Sequence, residues 1–197
     1  MKNHRQKQRD LVNRKEKLDI DMRLMVITTL LLLSFVVQAS LIDGIDLRTD
    51  KLVQLKISKK KPTVLYFLSA WCPCSQGTFD HLNELQAKYK EIDFVGFHSS
   101  VEIPKKDALE YFGKFKIDFP IIQDDKVIYA DKYKAVKTPH VFIYGTKGEL
   151  LFQGGATNSR TVKRAKKFYL RDALEAISMG KEPKIKNAKT IGCYIQR

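Results

Sequence analysis

Apolar residues recur along the chain in two periods, and each period predicts one kind of element. Recurrence at every second residue predicts a half-buried strand, and a continuous β-branched and aromatic run predicts a strand covered on both faces. Residues 52–57 show the first pattern and residues 62–69 the second. Further strands are predicted at 92–98, 119–124 and 141–144, with a hairpin that continues through residues 145–155.

Between these strands the apolar residues recur every three or four positions, which predicts amphipathic helices. A first helix begins at Cys74, a second follows Pro104, and the last has its start signal at Asn158 or Ser159 and its stop at Gly180. The order of elements predicts an α/β fold in which helices flank a central mixed β-sheet. Residues 183–197 are predicted to be a C-terminal tail extension, because they show no assignable period.

The N-terminal residues 1–39 carry the pattern of an export signal. Residues 24–37 are 14 uncharged residues, short for a membrane span of about 20, and the sequence Val-Gln-Ala at 37–39 fits a signal cleavage site. We therefore predict a signal peptide, or an N-terminal membrane anchor with Arg23 on the cytoplasmic side. A start at Met22 would give a compact signal. Either outcome exports the rest of the chain to the bacterial periplasm or cell envelope, where disulfides form.

The chain is strongly basic, with a formal net charge of +14. Residues 1–39 contain eight basic and four acidic residues, so their removal leaves about +10. The lysines are spread through every segment, and only 59–61 and 163–167 are locally dense. Such scattering is typical of solvated faces, so we predict no nucleic-acid partner.

Two of the three cysteines, Cys72 and Cys74, flank Pro73 between a predicted strand and a predicted helix. A residue before proline is disfavoured in the α conformation, so Cys72 should lie just outside the helix. Backbone N–H groups and the helix dipole stabilise a thiolate at that position. Cys72 is therefore the predicted attacking thiol of a thiol-based oxidoreductase that exchanges disulfides or reduces peroxide.

The resolving thiol stays open between two candidates. Cys74 would point about 200° away from Cys72 on a regular helix, at 100° per residue, so it could bridge Cys72 only after local unwinding. Cys193 in the tail is the alternative. Position i+3 from Cys72, which shares its helix face, holds Ser75. Inert buried thiols and a structural Cys74–Cys193 bridge are further alternatives.

Several residues around Cys72 resemble the thioredoxin-like superfamily. Trp71-Cys72 ends a strand, Pro73 lies within the motif, and Thr138-Pro139 stands at the head of a later strand. In that family the later proline is in cis and faces the active thiol, and the residue before it offers backbone hydrogen bonds to bound substrate. The resemblance implies that Trp71, Pro73, Thr138 and Pro139 bind substrate.

The C-terminal sequence YLRDALEAISMGKEPKIKNAKTIGCYIQR resembles the ending of a peroxiredoxin-like (AhpC/TSA, redoxin) group of antioxidant enzymes. That likeness covers residues 52–197 and implies a redoxin domain over 40–182. Departures are Leu65, where peroxiredoxins have proline, and Ser75, where thioredoxins have cysteine. The resemblance implies a protein disulfide or a peroxide as substrate, and a thiol reductant or membrane electron donor as partner. It implies no cofactor.

Two other functions remain open on the sequence. Copper chaperones share the thioredoxin-like fold, and soft thiolates with an imidazole suit Cu(I), so Cys72, Cys74 and His140 form an alternative Cu(I) site. A non-catalytic interaction domain is the other alternative. His98 ends a predicted strand and could border the site, but both His98 and His81 are predicted to be surface residues.

Overall fold

The computed structural model describes Met22, residues 41–57 and residues 59–197. The chain divides into residues 1–38 and residues 39–197, and the elements below belong to the second unit. The predicted signal or anchor, with its apolar run 24–37, lies outside the described residues. In the described part of the chain, no helix is both long and apolar enough to cross a membrane.

Strands and helices alternate through the described residues of the second unit. The strands are β1 (Leu41–Asp46), β2 (Lys51–Lys56), β3 (Thr63–Leu68), β4 (Asp93–His98), β5 (Ile121–Gln123), β6 (Lys137–Thr138), β7 (His140–Tyr144), β8 (Leu150–Gly154) and β9 (Cys193–Tyr194). The helices are α1 (Pro73–Gln76), α2 (Phe79–Lys88), α3 (Lys105–Phe112), α4 (Ile128–Tyr133) and α5 (Tyr169–Ser178).

The main sheet has the strand order β2-β1-β5-β4-β3-β7-β8, and β6 and β9 pair separately. Strand β3 is central: it runs parallel to β4 and antiparallel to β7. All six residues of β3 are buried, as the continuous apolar run predicts. Alternate side chains of β3 enter two different apolar clusters, Val64 and Tyr66 in one and Leu65 and Phe67 in the other. The predicted α/β class with a mixed sheet is confirmed.

The predicted start of the last helix is wrong by about ten residues, since α5 begins at Tyr169 rather than at Asn158 or Ser159. The Asn158 carboxamide oxygen accepts hydrogen bonds from the backbone N–H groups of Lys166 and Lys167, both at 2.9 Å. Asn158 therefore closes a loop, which contains only a short 3-10 turn at Val162–Arg164. A side chain that can cap a helix can equally close a turn.

The first predicted helix is interrupted. Gly77 and Thr78 separate α1 from α2, and the Thr78 hydroxyl lies 2.5 Å from the Tyr66 hydroxyl and donates to the Ser75 carbonyl at 2.6 Å. Tyr66 in β3 and Ser75 in α1 are both buried, so the Thr78 hydroxyl ties the break to strand β3. Strands β1, β6 and β9 and helix α4 were not predicted from the sequence.

Candidate active site

The sheet topology brings Cys72 to the Thr138–Pro139 step. Because β3 and β7 are antiparallel and pair Phe67 with His140, the end of β3 meets the beginning of β7. Cys72 follows β3 by four residues, and Pro139 directly precedes β7. The Thr138–Pro139 peptide bond is cis, as the resemblance implies. The Cys72 thiol lies 3.3 Å from the Thr138 carbonyl oxygen and can donate to it.

The local conformation at Cys72 follows from Pro73. Cys72 is the N-cap of α1, with φ −78° and ψ 108°, and Pro73 is the first helical residue. The prediction that Cys72 lies just outside a helix is therefore correct. Trp71, before it, has a left-handed φ of 60° and is 58% exposed. Cys72 itself is only 4% exposed, so Trp71 is open to solvent while the next residue is buried.

The tail brings Cys193 to the same place. Strand β9 runs antiparallel to β6 and pairs Cys193 with Thr138. The Sγ atoms of Cys72 and Cys193 are 3.1 Å apart, and both thiols are free. Gly192 permits this approach, because a Cβ there would collide with the Thr138 carbonyl group. Of the two open candidates for the second thiol, Cys193 faces Cys72 directly across the site.

The two sulfurs differ in acidity. Burial raises the pKa of Cys72, but hydrogen bonds from Ser75 and the Cys193 thiol, together with Thr138, outweigh it and lower that pKa to about 7. Burial, together with the adjacent Cys72 sulfur, raises the pKa of Cys193 to about 11. Cys72 therefore ionises first, and the Cys193 thiol then donates a hydrogen bond to the Cys72 thiolate.

Cys74 is buried at the start of the same helix. Its pKa is raised, first by burial and then by the charge of Cys72. The guanidinium of Arg160 opposes this shift at Cys74 and also at Cys193. Cys74 is therefore held as a neutral thiol beside the Cys72 thiolate.

Ser75, which hydrogen-bonds to Cys72, and Arg160, whose charge acts on Cys74 and Cys193, were not predicted as site residues. Ser75 is fully buried, and its hydroxyl accepts a hydrogen bond from the Ser69 N–H at 3.3 Å. The i+3 spacing from Cys72 was the available signal for Ser75. Nothing in the sequence pattern pointed to Arg160, which lies 86 residues after Cys74.

The surface prediction for His98 and His81 is wrong, because both are buried. His98 ends β4 beside Leu68, and its Nδ1 accepts a hydrogen bond from the Ala70 N–H at 3.3 Å. Burial lowers the pKa of His98 to about 4. His98 thus supports, in its neutral form, the loop that carries Cys72.

The structure does not bring the alternative Cu(I) ligands Cys72, Cys74 and His140 together as one group of three. Within residues 41–57 and 59–197, no group of three or more His, Cys, Asp or Glu side chains could hold a metal ion. The ring of His140 lies 4.3 Å from the ring of Phe142. Burial lowers the pKa of His140 to about 4.

Comparisons with known proteins place the chain by family and by fold. A family model described as Domain of unknown function (DUF6436) matches residues 45–197. A relative from Haemophilus influenzae, described as a thioredoxin-like protein, is 26% identical over 105 residues, which are 53% of this chain and 60% of the relative. The chain thus spans less than two thirds of the length of that curated relative.

Two solved structures share the fold. An uncharacterized conserved protein from Geobacillus kaustophilus has a TM-score of 0.71 at 24% identity, covering 81% of this chain and 90% of that protein. A putative thiol:disulfide interchange protein DsbE from Chlorobium tepidum has a TM-score of 0.50 at 24% identity. The match covers 59% of this chain and 81% of that protein. The thioredoxin-like fold predicted from the sequence is confirmed, and the peroxiredoxin-like subgroup stays a prediction.

Proposed function

The chain belongs to the family described as Domain of unknown function (DUF6436), and we propose that this member is an exported thiol-based oxidoreductase. Cys72 is its nucleophile and Cys193 its resolving thiol. The single observation that carries the proposal is the 3.1 Å separation of a low-pKa sulfur and a second free sulfur. The thioredoxin-like domain of residues 40–182 supplies Cys72, and the tail of residues 183–197 supplies Cys193.

In the first step the Cys72 thiolate attacks one sulfur of a substrate disulfide. The substrate S–S bond breaks, a Cys72–substrate disulfide forms, and the other substrate sulfur leaves as a thiolate. Cys193 then loses its proton and attacks the Cys72 sulfur, which releases the second substrate thiolate and forms a Cys72–Cys193 disulfide. The substrate has gained two electrons, and the protein has lost them.

Peroxide is the second candidate oxidant, and the burial of Cys72 favours it. A thiol on a residue that is 4% exposed admits a small molecule more readily than a folded protein disulfide. The thiolate attacks one peroxide oxygen, the O–O bond breaks, the other oxygen leaves as hydroxide and takes up a proton to become water, and Cys72 becomes a sulfenic acid. Attack by the Cys193 thiol releases water and gives the same Cys72–Cys193 disulfide.

The substrate-binding residues and the partner belong to the same proposal. We propose that substrate contacts the exposed Trp71 and binds beside Cys72 at Pro73, Thr138 and Pro139, where the Thr138 carbonyl lies 3.3 Å from the sulfur. An external thiol reductant, or a membrane electron donor, returns the disulfide to two thiols. Export to the periplasm or cell envelope rests on the sequence pattern of residues 1–39, and the disulfides on which this mechanism acts form in such compartments.

Serine variants of the three cysteines test this mechanism on the full chain, with insulin and hydrogen peroxide as oxidants. Cys72→Ser should lower turnover by about 100-fold or more, because the attacking atom is removed. Cys193→Ser should leave the first step intact and accumulate a mixed disulfide or sulfenic acid on Cys72. Mass spectrometry of the trapped species identifies the cysteine that carries it.

Cys74→Ser is the matched comparison, since it makes the same substitution at the neighbouring thiol. We expect it to keep the Cys72–Cys193 disulfide and to change turnover by no more than about twofold, which is within the range of an ordinary packing change. Full activity of Cys72→Ser with both oxidants would contradict the proposal. Loss of turnover in Cys74→Ser with retention in Cys193→Ser would reassign the resolving role to Cys74.

A further inference from the structure

The two sulfurs of the site differ in access from solvent. Cys193 is exposed, and Cys72 is almost fully buried. The Cys72 sulfur is surrounded by the Thr138 carbonyl at 3.3 Å, by the Cys193 sulfur at 3.1 Å and by the buried Ser75. The open side of the pair is therefore the Cys193 side.

The leaving group favours the same sulfur. Attack on Cys193 expels Cys72, whose pKa is lowered to about 7. Attack on Cys72 would instead expel Cys193, whose pKa burial raises. A thiol of lower pKa leaves faster. Access from solvent and leaving-group acidity thus both favour attack on Cys193.

We infer that the thiol partner which reduces the oxidised protein attacks Cys193 rather than Cys72, so that oxidant and reductant use different sulfurs. This inference rests on the proposed Cys72–Cys193 disulfide. The partner thiolate bonds to Cys193 Sγ, the Cys72–Cys193 bond breaks, and Cys72 leaves as a thiolate. A second partner thiolate then attacks the partner sulfur of that mixed disulfide. Cys193 leaves and takes a proton from solvent, the partner becomes a disulfide, and two electrons enter the protein.

The surface around Cys193 indicates the kind of thiol that fits there. The ring of Tyr194 is 70% exposed, and the Lys137 ammonium lies 4.6 Å from its centroid. Arg160, exposed on the surface, adds positive charge at Cys193. An anionic thiol is therefore the preferred partner, and glutathione is a suitable probe.

The test uses the full chain oxidised with diamide. Peptide mapping first records which cysteines are joined. Glutathione is then added, samples are quenched with acid at increasing times, free thiols are alkylated, and the glutathione adduct is assigned to Cys72 or Cys193. At the earliest times we expect on the order of tenfold or more adduct on Cys193, with Cys72 free.

The outcomes separate the inference from the proposed function. Absence of a Cys72–Cys193 disulfide before glutathione is added contradicts the proposed function itself. A disulfide that is present but gives equal adducts, or a larger one on Cys72, overturns the inference and leaves the proposed function standing. The same measurement on Cys74→Ser excludes transfer of the adduct through the third thiol, and the Cys193 preference should persist there.

Discussion

At the residue scale, Cys72 owes its acidity to a small set of hydrogen bonds that outweigh burial. A sulfur that is 4% exposed would by burial alone have a raised pKa. Ser75 lowers the pKa of Cys72 through hydrogen bonds from both its hydroxyl and its backbone N–H. Since α1 has only four residues, we assign more weight to these individual donors than to the helix dipole. The position that would hold the second cysteine of a Cys-x-x-Cys motif thus holds a hydroxyl donor instead.

The alkylation rate of Cys72 should therefore rise with pH around a midpoint near 7, well below the roughly 8.5 of a free thiol. Ser75→Ala removes one donor to the thiolate and should move the midpoint up by about one pH unit, since such a bond is worth about 1.5 kcal/mol. Iodoacetamide labelling with peptide mapping at a series of pH values measures the midpoint in the native protein and in Ser75→Ala. Ser178→Ala, on the exposed end of α5, should change nothing. An unshifted midpoint in Ser75→Ala would refute the role of that hydroxyl.

At the element scale, the tail is fixed on both sides of Cys193. Before it, the Ala188 N–H donates to the Gln153 carbonyl in β8 at 2.9 Å. After it, the Ile195 N–H donates to the Val136 carbonyl at 3.1 Å, and the Ile195 side chain is buried. The β6–β9 pair therefore holds Cys193 against Cys72 even though no bond joins the sulfurs. In this arrangement the tail pairs with the backbone of Thr138, where the resemblance implies that substrate would bind.

Gly192→Ala tests that arrangement. The new methyl group would meet backbone atoms of Thr138 and the Pro139 ring, so β9 has to shift away from β6. We expect the Cys72–Cys193 disulfide to form at least about tenfold more slowly, because a shift of about 1 Å can cost that much or more in a reaction between positioned groups. Stopped-flow oxidation followed by thiol counting measures the rate. Lys189→Ala, in the exposed part of the same tail, is the control and should oxidise at the normal rate.

At the scale of the whole molecule, the fold keeps several histidines neutral. His98 and His140 are both buried, and burial lowers each pKa to about 4. In the unfolded chain an imidazole has a pKa near 6.5. Between pH 6.5 and pH 4 these histidines bind protons in the unfolded state but not in the folded state. The stability that they contribute is therefore fully present above pH 6.5 and is lost as the pH falls toward 4.

The free energy of unfolding should consequently fall by roughly 2 kcal/mol for each of these two histidines between pH 7 and pH 5. Urea unfolding of the reduced protein at the two pH values measures this loss. His140→Phe removes one of the titrating groups from its site against Phe142 and should reduce the loss by the share of one histidine, roughly 2 kcal/mol. A stability that stays constant from pH 7 to pH 5 would show that the histidines are not held neutral.

The sequence by itself determined what depends on neighbours along the chain. Apolar periodicity placed the central strand and most other sheet strands, and Pro73 placed Cys72 outside the helix, because each follows from local sterics or burial period. The resemblance added the cis bond at Pro139. Strand β1 and the two-residue strand β9 were missed, since their residues carry no pattern without a partner strand.

Only the tertiary structure decided which thiol faces Cys72. Cys193 is 121 residues away, and its approach depends on the pairing of β9 with β6 and on the packing of the tail beyond it. Long-range packing also decides the burial of His98, which depends on its register beside Leu68. It likewise places Arg160, which lies in a loop that Asn158 closes. Local sequence specifies the conformation of a segment, whereas long-range packing sets which distant side chains meet and what charge they then hold.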